Sequence, residues 1–138
     1  MGSLAPQGTG NDVGVTLTSD EAISVDTSYA NGLIINSRDV KDSVITLYND
    51  DVTATLSYKI YASAKFSLTV PADSDTSWVN IIDTELEDPA SYDHDLERTI
   101  PARGVFYESF SNKWGWVRVE MKSSSGTITA KAWHRGTS

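Results

Sequence analysis

The side chains of this chain suited to acid–base or metal chemistry are few: two histidines, His94 and His134, and three close carboxylate pairs. His94 lies in Tyr92-Asp93-His94-Asp95, which brings together an imidazole and carboxylates, donor types that hold transition metals. A polar loop of this composition reads more simply as solvated. His134 falls at the end of the last predicted strand, far along the chain from His94. The pairs Asp73/Asp75, Glu85/Glu87 and Asp93/Asp95 supply the two carboxylates that glycoside hydrolysis requires across a cleft. Here they sit in acidic loops with no interleaved aromatics, which favours solvation over catalysis. Hard oxygen donors gather at Asn49-Asp50-Asp51 and Asp73-Ser74-Asp75, so Asp50, Asp51, Asp73 and Asp75 are weak Ca2+ candidates, without EF-hand spacing. There is no Gly-x-Ser-x-Gly, no His-Glu-x-x-His and no phosphate-cradling glycine loop. Cysteine is absent, which removes disulfides and thiolate metal sites. The expectation is a protein that is not an enzyme, with no cofactor beyond a structural Ca2+.

Aromatic residues carry the more specific signal. The stretch from Trp114 to Lys122 alternates, four residues Ser123-Ser124-Ser125-Gly126 follow, and Thr127 to His134 alternates again. A four-residue loop built around a type I turn, with Gly126 free to take positive φ, predicts a hairpin. Placing Lys122 opposite Thr127 then fixes the register. One face pairs Met121 with Ile128, Val119 with Ala130 and Val117 with Ala132, an apolar core face. The other pairs Glu120 with Thr129, Arg118 with Lys131 and Trp116 with Trp133, with Trp114 further along. This register predicts that Trp114, Trp116 and Trp133 gather away from the core, with Arg118 diagonal to Trp133 and able to stack on it. An aromatic cluster of that size is either covered by another part of this chain or marks a surface for a partner or ligand. Trp114, Trp116, Arg118, Lys131 and Trp133 are therefore the candidate binding residues, for a neighbouring subunit or a sugar ring. Trp78, beside Val79 and Ile81, reads as core.

The elements that position these residues alternate with period two almost throughout. Met1–Asp12 reads as a flexible arm rich in Gly, Pro and small polar residues, and 13–138 as a single domain. Strands are predicted at Val13–Thr18, Ala22–Val25, Leu33–Ile35 after an Asn31-Gly32 turn signal, Ser43–Tyr48, Thr53–Ala62, Phe66–Val70 closed by Pro71, Trp78–Ile82 and Gly104–Phe110, before the final pair, and Pro101 stops any strand begun at Thr99–Ile100. Asn49-Asp50-Asp51 reads as a tight turn joining two of these strands in a hairpin. Residues 85–96 read as a long acidic loop. The expected fold class is all-β: an antiparallel β-sandwich of jelly-roll type, eight to ten strands, essentially no helix.

Composition excludes several function classes. The formal charge is −8, with 13 Asp, 6 Glu and only 6 Lys, which disfavours nucleic acid as a partner. An acidic, lysine-poor surface also suits a high-salt host. No apolar run approaches the roughly 20 residues needed to span a bilayer, and Met1–Asp12 has neither the basic residues nor the apolar core of a signal peptide. Charge is uneven: residues 101–138 hold 6 basic and 2 acidic side chains, the rest 5 and 17. Either the basic strands lie beside acidic ones within the chain, or complementary patches join subunits head to tail.

The order of segments resembles small β-sandwich virion proteins of tailed phages and archaeal viruses. The resemblance is carried by Val-Ile-Thr-Leu-Tyr-Asn-Asp-Asp from Val44, Leu-Ser-Tyr-Lys-Ile-Tyr-Ala-Ser from Leu56, a Trp-containing strand, and Trp-Val-Arg-Val-Glu-Met-Lys-Ser-Ser-Ser-Gly-Thr-Ile-Thr-Ala from Trp116. It covers about residues 20–134 and is shared in part by sugar-binding sandwich modules. It implies a head-decoration or tail-associated subunit of a virion, a homo-oligomer in contact with other virion proteins, and transfers no functional residues. The alternative is an extracellular carbohydrate-binding module.

Overall fold

Alternation in the sequence reappears as alternating burial over residues 42–49, whereas residues 56–63 and 116–123 are buried nearly throughout. The computed structural model describes residues 22–38, 40–82, 90–111 and 114–137, which hold nine strands and no helix. They are β1 (Ile23–Val25), β2 (Ala30–Asn36), β3 (Asp42–Asn49), β4 (Leu56–Ser63), β5 (Trp78–Asn80), β6 (Arg98–Ile100), β7 (Val105–Ser111), β8 (Trp116–Ser123) and β9 (Ile128–Thr137). One sheet has the order β1-β9-β3-β7, and the other β2-β8-β4-β5 with β6 also on β4. All pairings are antiparallel. Strands β1 to β4 and β6 to β9 alternate between the sheets, so most connections cross the sandwich, the wrapping of a jelly roll. The expected fold class is therefore the observed one.

Between the sheets, Ile45 and Leu47 of β3 and Ile128, Ala130 and Ala132 of β9 face Leu56, Tyr58 and Ile60 of β4 and Val117, Val119 and Met121 of β8. All are at most 5 % exposed. The apolar faces read from the sequence are thus the core faces. Their lateral partners are not as predicted, because both expected hairpins are arches. β3 and β4 lie in opposite sheets, as do β8 and β9. Met121, Val119 and Val117 pair with Tyr58, Ile60 and Ala62, whereas Ala130 and Ala132 pair with Asn49 and Leu47.

Long-range bonds at the bends give the reason. The Ser124 amide donates to the Thr55 carbonyl, and the Thr55 amide donates to Ser124 Oγ, each at 3.0 Å, so the two arches clasp one another. Ser123 Oγ accepts from the Ser125 amide and donates to the Gly126 carbonyl, and Gly126 takes the expected positive φ of 64°. At the other arch Asn49 is fully buried; its Nδ2 donates to the carbonyls of Ala54 (2.9 Å), Pro101 (3.2 Å) and Ile100 (3.3 Å).

Two further expectations are corrected. Asn31-Gly32 is not a turn but a register shift inside β2, a bulge. Phe66–Val70 is not a strand: residues 64–77 cross the outer face of the β2-β8-β4-β5 sheet as irregular chain, leaving Phe66 64 % and Leu68 86 % exposed. The crossing is close: a Cβ on Gly115 would overlap the Lys65 carbonyl, which leaves room for glycine alone. The predicted arm Met1–Asp12, the strand Val13–Thr18 and the pair Glu85/Glu87 lie outside the described residues.

Candidate functional site

The predicted tryptophan cluster does not form, since its members belong to different sheets. Trp116 and Arg118 are on the outer face of the β2-β8-β4-β5 sheet, and Lys131 and Trp133 on the outer face of the other. Trp114 precedes β8 and packs against the main core, its carbonyl accepting from Ser37 Oγ at 3.0 Å.

The Arg118 side is sealed. Segment 64–77 covers it: Trp116 Nε1 donates to the Ser67 carbonyl at 3.1 Å and Trp78 Nε1 to that of Ala72 at 2.9 Å. Trp116, Trp78 and Tyr61 form a second apolar cluster, which makes Trp78 buried, as predicted, but on the outer side of its sheet. Arg118 stacks not on Trp133 but between Tyr61 and Trp78, its guanidinium 4.4 and 4.7 Å from their ring centres. Its side chain is 3 % exposed and is bound by Glu120 and by Asn31 Oδ1 at 3.2 Å. Arg118 Nε finds no hydrogen-bond partner among the described residues and lies 3.9 Å from Asp73 Oδ1. This is a structural cation clamp.

Burial, then the charges of Glu120 and Asp95, push the Tyr61 phenol up to about 12. Burial and the hydrogen bond to Glu108 raise Tyr58 as well. Unfolded phenols ionise near the ordinary value of 10.0 while these two keep their protons. Stability is therefore complete below pH 10 and falls above it, by about 1.4 kcal/mol per pH unit for each such tyrosine until its native value is reached. Urea midpoints between pH 9 and pH 12, with phenolate absorbance followed in parallel, test this. Native protein whose six tyrosines all ionise near pH 10 would contradict it.

The Ca2+ candidates are engaged internally. Asp50 pairs with Arg103 at 2.6 Å, and Asp75 with Lys65 at 2.6 Å. The Lys65 and Ser77 bonds hold Asp75 down at about 2. Asp51 accepts the amides of Ala54 (2.7 Å) and Thr53 (3.0 Å), which lower its pKa, and Asp73 accepts from Asn31 Nδ2 at 3.0 Å. Among the described residues no group of three His, Asp or Glu is placed to hold a metal. His134, read as a strand-end residue, is 2 % exposed, with Nε2 3.0 Å from Ser43 Oγ, itself 2 % exposed. His94 is in a loop, its Nδ1 2.9 Å from the Tyr92 hydroxyl and its ring stacked on Tyr61 at 4.8 Å. Part of the charge asymmetry is also internal: Arg103 meets Asp50, Arg118 lies 3.9 Å from Asp73, and Lys122 lies 3.9 Å from Glu97.

Among the described residues, no segment crosses the outer face of the β1-β9-β3-β7 sheet and no further strand pairs with its β7 edge, although Thr46, Tyr48, Lys131 and Trp133 are half-buried. Three cross-strand rows define it: Arg135, Val44 and Ser109; Trp133, Thr46 and Tyr107; Lys131, Tyr48 and Val105. Val105 and Tyr107 are each 63 % exposed. Tyr107, Tyr48 and Thr46 were not singled out in the sequence; alternation gave their parity, but only the β9-β3-β7 order joins them to Trp133. This aromatic and basic sheet face is the candidate site. The chain matches no family model and no curated protein.

Proposed function

We propose that this chain is a non-enzymatic structural subunit of a virus particle, of the capsid-decoration or tail-associated kind, joined to its neighbours through the β7 edge. One observation carries the reading. Natural sheets blunt their edges with short strands, bulges, prolines or lysines. β1, β5 and β6 are three residues each, and β2 is bulged. β7 runs seven residues in unbroken register with β3 and contains no Pro, Lys or Arg. Its one charge, Glu108, is engaged by Arg98 at 3.1 Å and Tyr58 at 2.8 Å. A long, unbulged edge with exposed Val105, Phe106 and Tyr107 is a template for a further strand.

The resemblance to virion sandwiches supports the same reading, while the jelly roll itself serves capsid and lectin domains alike and does not decide. Burial of the Ser43–His134 pair favours a structural role over nucleophilic chemistry. The test is the mass in solution at low and molar salt, for the unaltered chain and for Val105→Lys/Phe106→Lys. An oligomer that the double substitution converts to a folded monomer is expected. A wild-type monomer at high concentration, or an oligomer indifferent to the lysines, refutes the β7 contact.

A further inference from the structure

We propose that the outer face of the β1-β9-β3-β7 sheet binds an anionic polysaccharide, a uronate-bearing glycan, with a sugar ring stacked on Trp133 and carboxylates paired with Lys131 and Arg135. The site shares Tyr107 with the β7 edge, whereas Trp133, Lys131 and Arg135 lie on β9 away from that edge. It has three components.

The first is a platform. Trp133 and Tyr107 flank the small Thr46 in one cross-strand row, with no described segment laid over them as residues 64–77 are laid over Trp116. Two strand spacings separate them by about 10 Å, a span comparable to two linked pyranose rings. A pyranose has an apolar C–H face that packs on an aromatic ring, and a rim of hydroxyls that must find partners when it does.

The second is a recess beside the platform. A cavity of about 490 Å³ is lined by Asp42, Val44, Ser109, Ser111 and Arg135, which all point outward from the sheet, together with Ser43 and Phe110. It adjoins the Trp133 row, so a ring on the indole has carboxylate, hydroxyl and guanidinium groups within reach of its rim. Asp42, Ser109 and Ser111 supply the acceptors and small donors that sugar hydroxyls need. A protein partner would more naturally meet a large apolar centre, and here the middle of the face is Thr46 with serines at its end.

The third is charge. The chain carries −8, yet Lys131 and Arg135 lie two residues on either side of Trp133 along β9. Each is therefore about 7 Å from it along the strand. Among the described residues of β3, β7 and β9 the only outward-facing acid is Asp42. A cationic pair bracketing an indole on an acidic protein is complementary to a repeating carboxylate.

Calorimetric titration with short oligogalacturonates tests the assignment, with their methyl esters as the uncharged counterpart. The acidic oligomers are expected to bind, the esters at least about tenfold more weakly, and added salt to weaken the acidic case alone. Trp133→Ala and the pair Lys131→Gln/Arg135→Gln should each lower affinity by about tenfold or more. The second pair is at surface positions and keeps the test decisive if Trp133→Ala fails to fold. Tyr107→Ala should produce a smaller loss. Failure of the acidic oligomers to bind at millimolar concentration, equal binding of esters, or binding untouched by the Lys131/Arg135 pair overturns the proposal. A change of solution mass in Trp133→Ala without a change in glycan affinity reassigns the face to a protein partner and equally overturns it.

Discussion

Asn49→Ala is expected to lower the free energy of unfolding by about 3–5 kcal/mol, well beyond the usual effect of one polar side chain. Asn49 is fully buried, and its carboxamide holds three separate pieces of chain. Two amide hydrogens serve the carbonyls of Ala54, Ile100 and Pro101, so the two longer contacts share one donor. Oδ1 accepts the Asp51 amide at 3.1 Å, which starts the arch from β3 to β4. Truncation removes the side-chain donor from the Ala54 and Ile100 carbonyls, at roughly 1–3 kcal/mol each, and adds a small cavity, while the Pro101 carbonyl keeps the Gly104 amide at 2.9 Å. Asn49→Asp, of the same shape, should be no better at neutral pH, because it turns a donor into a charge facing carbonyl oxygens. The measurement is the urea midpoint at unchanged slope. A loss under about 1 kcal/mol would mean that the arch is held by its backbone bonds alone.

The same residue shows where sequence reading stops. Asn49-Asp50-Asp51 is a tight turn by composition; in the structure Asn49 ends β3 and residues 50–55 make the longer bend of an arch. Nothing local says whether the chain returns beside β3 or crosses to the opposite sheet. Period-two alternation fixes which face a side chain takes, and that much was legible: Val117, Val119 and Met121, with Ile128, Ala130 and Ala132, are the core sets in the sequence and in the structure. A four-residue bend brings two such faces together equally well side by side or across an interior. The choice is made by contacts distant in sequence, such as Ser124 with Thr55 and Thr127 Oγ1 with Asp26 at 2.7 Å. No periodicity encodes these.

The candidate site was legible in the same partial way. Lys131 and Trp133 were read as facing away from the core, and they do. Trp116 and Arg118 were given the same exposure because β8 alternates like β9. Their burial comes from residues 64–77, where Phe66–Val70 has a strand's pattern but forms no ladder. That segment is held by the indole donors of Trp78 and Trp116, by buried Pro71 and by the cleft at Gly115. Two outer faces that look alike in sequence thus differ by a cover that only the assembled sandwich provides.

Arg118→Met should destabilise the fold by about 3 kcal/mol, toward the lower end for breaking a buried ion pair, because Glu120 keeps some contact with water. Glu120 is 18 % exposed at its side chain, Arg118 3 %. Methionine preserves much of the volume between Tyr61 and Trp78 but forfeits both cation–π contacts, of about 0.5–2 kcal/mol each, and leaves Glu120 charged against an apolar neighbour. Arg118→Lys should fall between, because an ammonium keeps the charge but not the planar stack or the fork that reaches Asn31 and Glu120 together. The pair Arg118→Met/Glu120→Gln separates the causes. If the loss is mainly a stranded carboxylate, the second substitution recovers a large part of it, and the cycle shows coupling of about 1–2 kcal/mol. If the double variant is as unstable as the two losses added, the clamp is a packing device in which charge is incidental. Either way the Arg118 effect belongs to stability, and glycan binding on the opposite sheet should not respond to it.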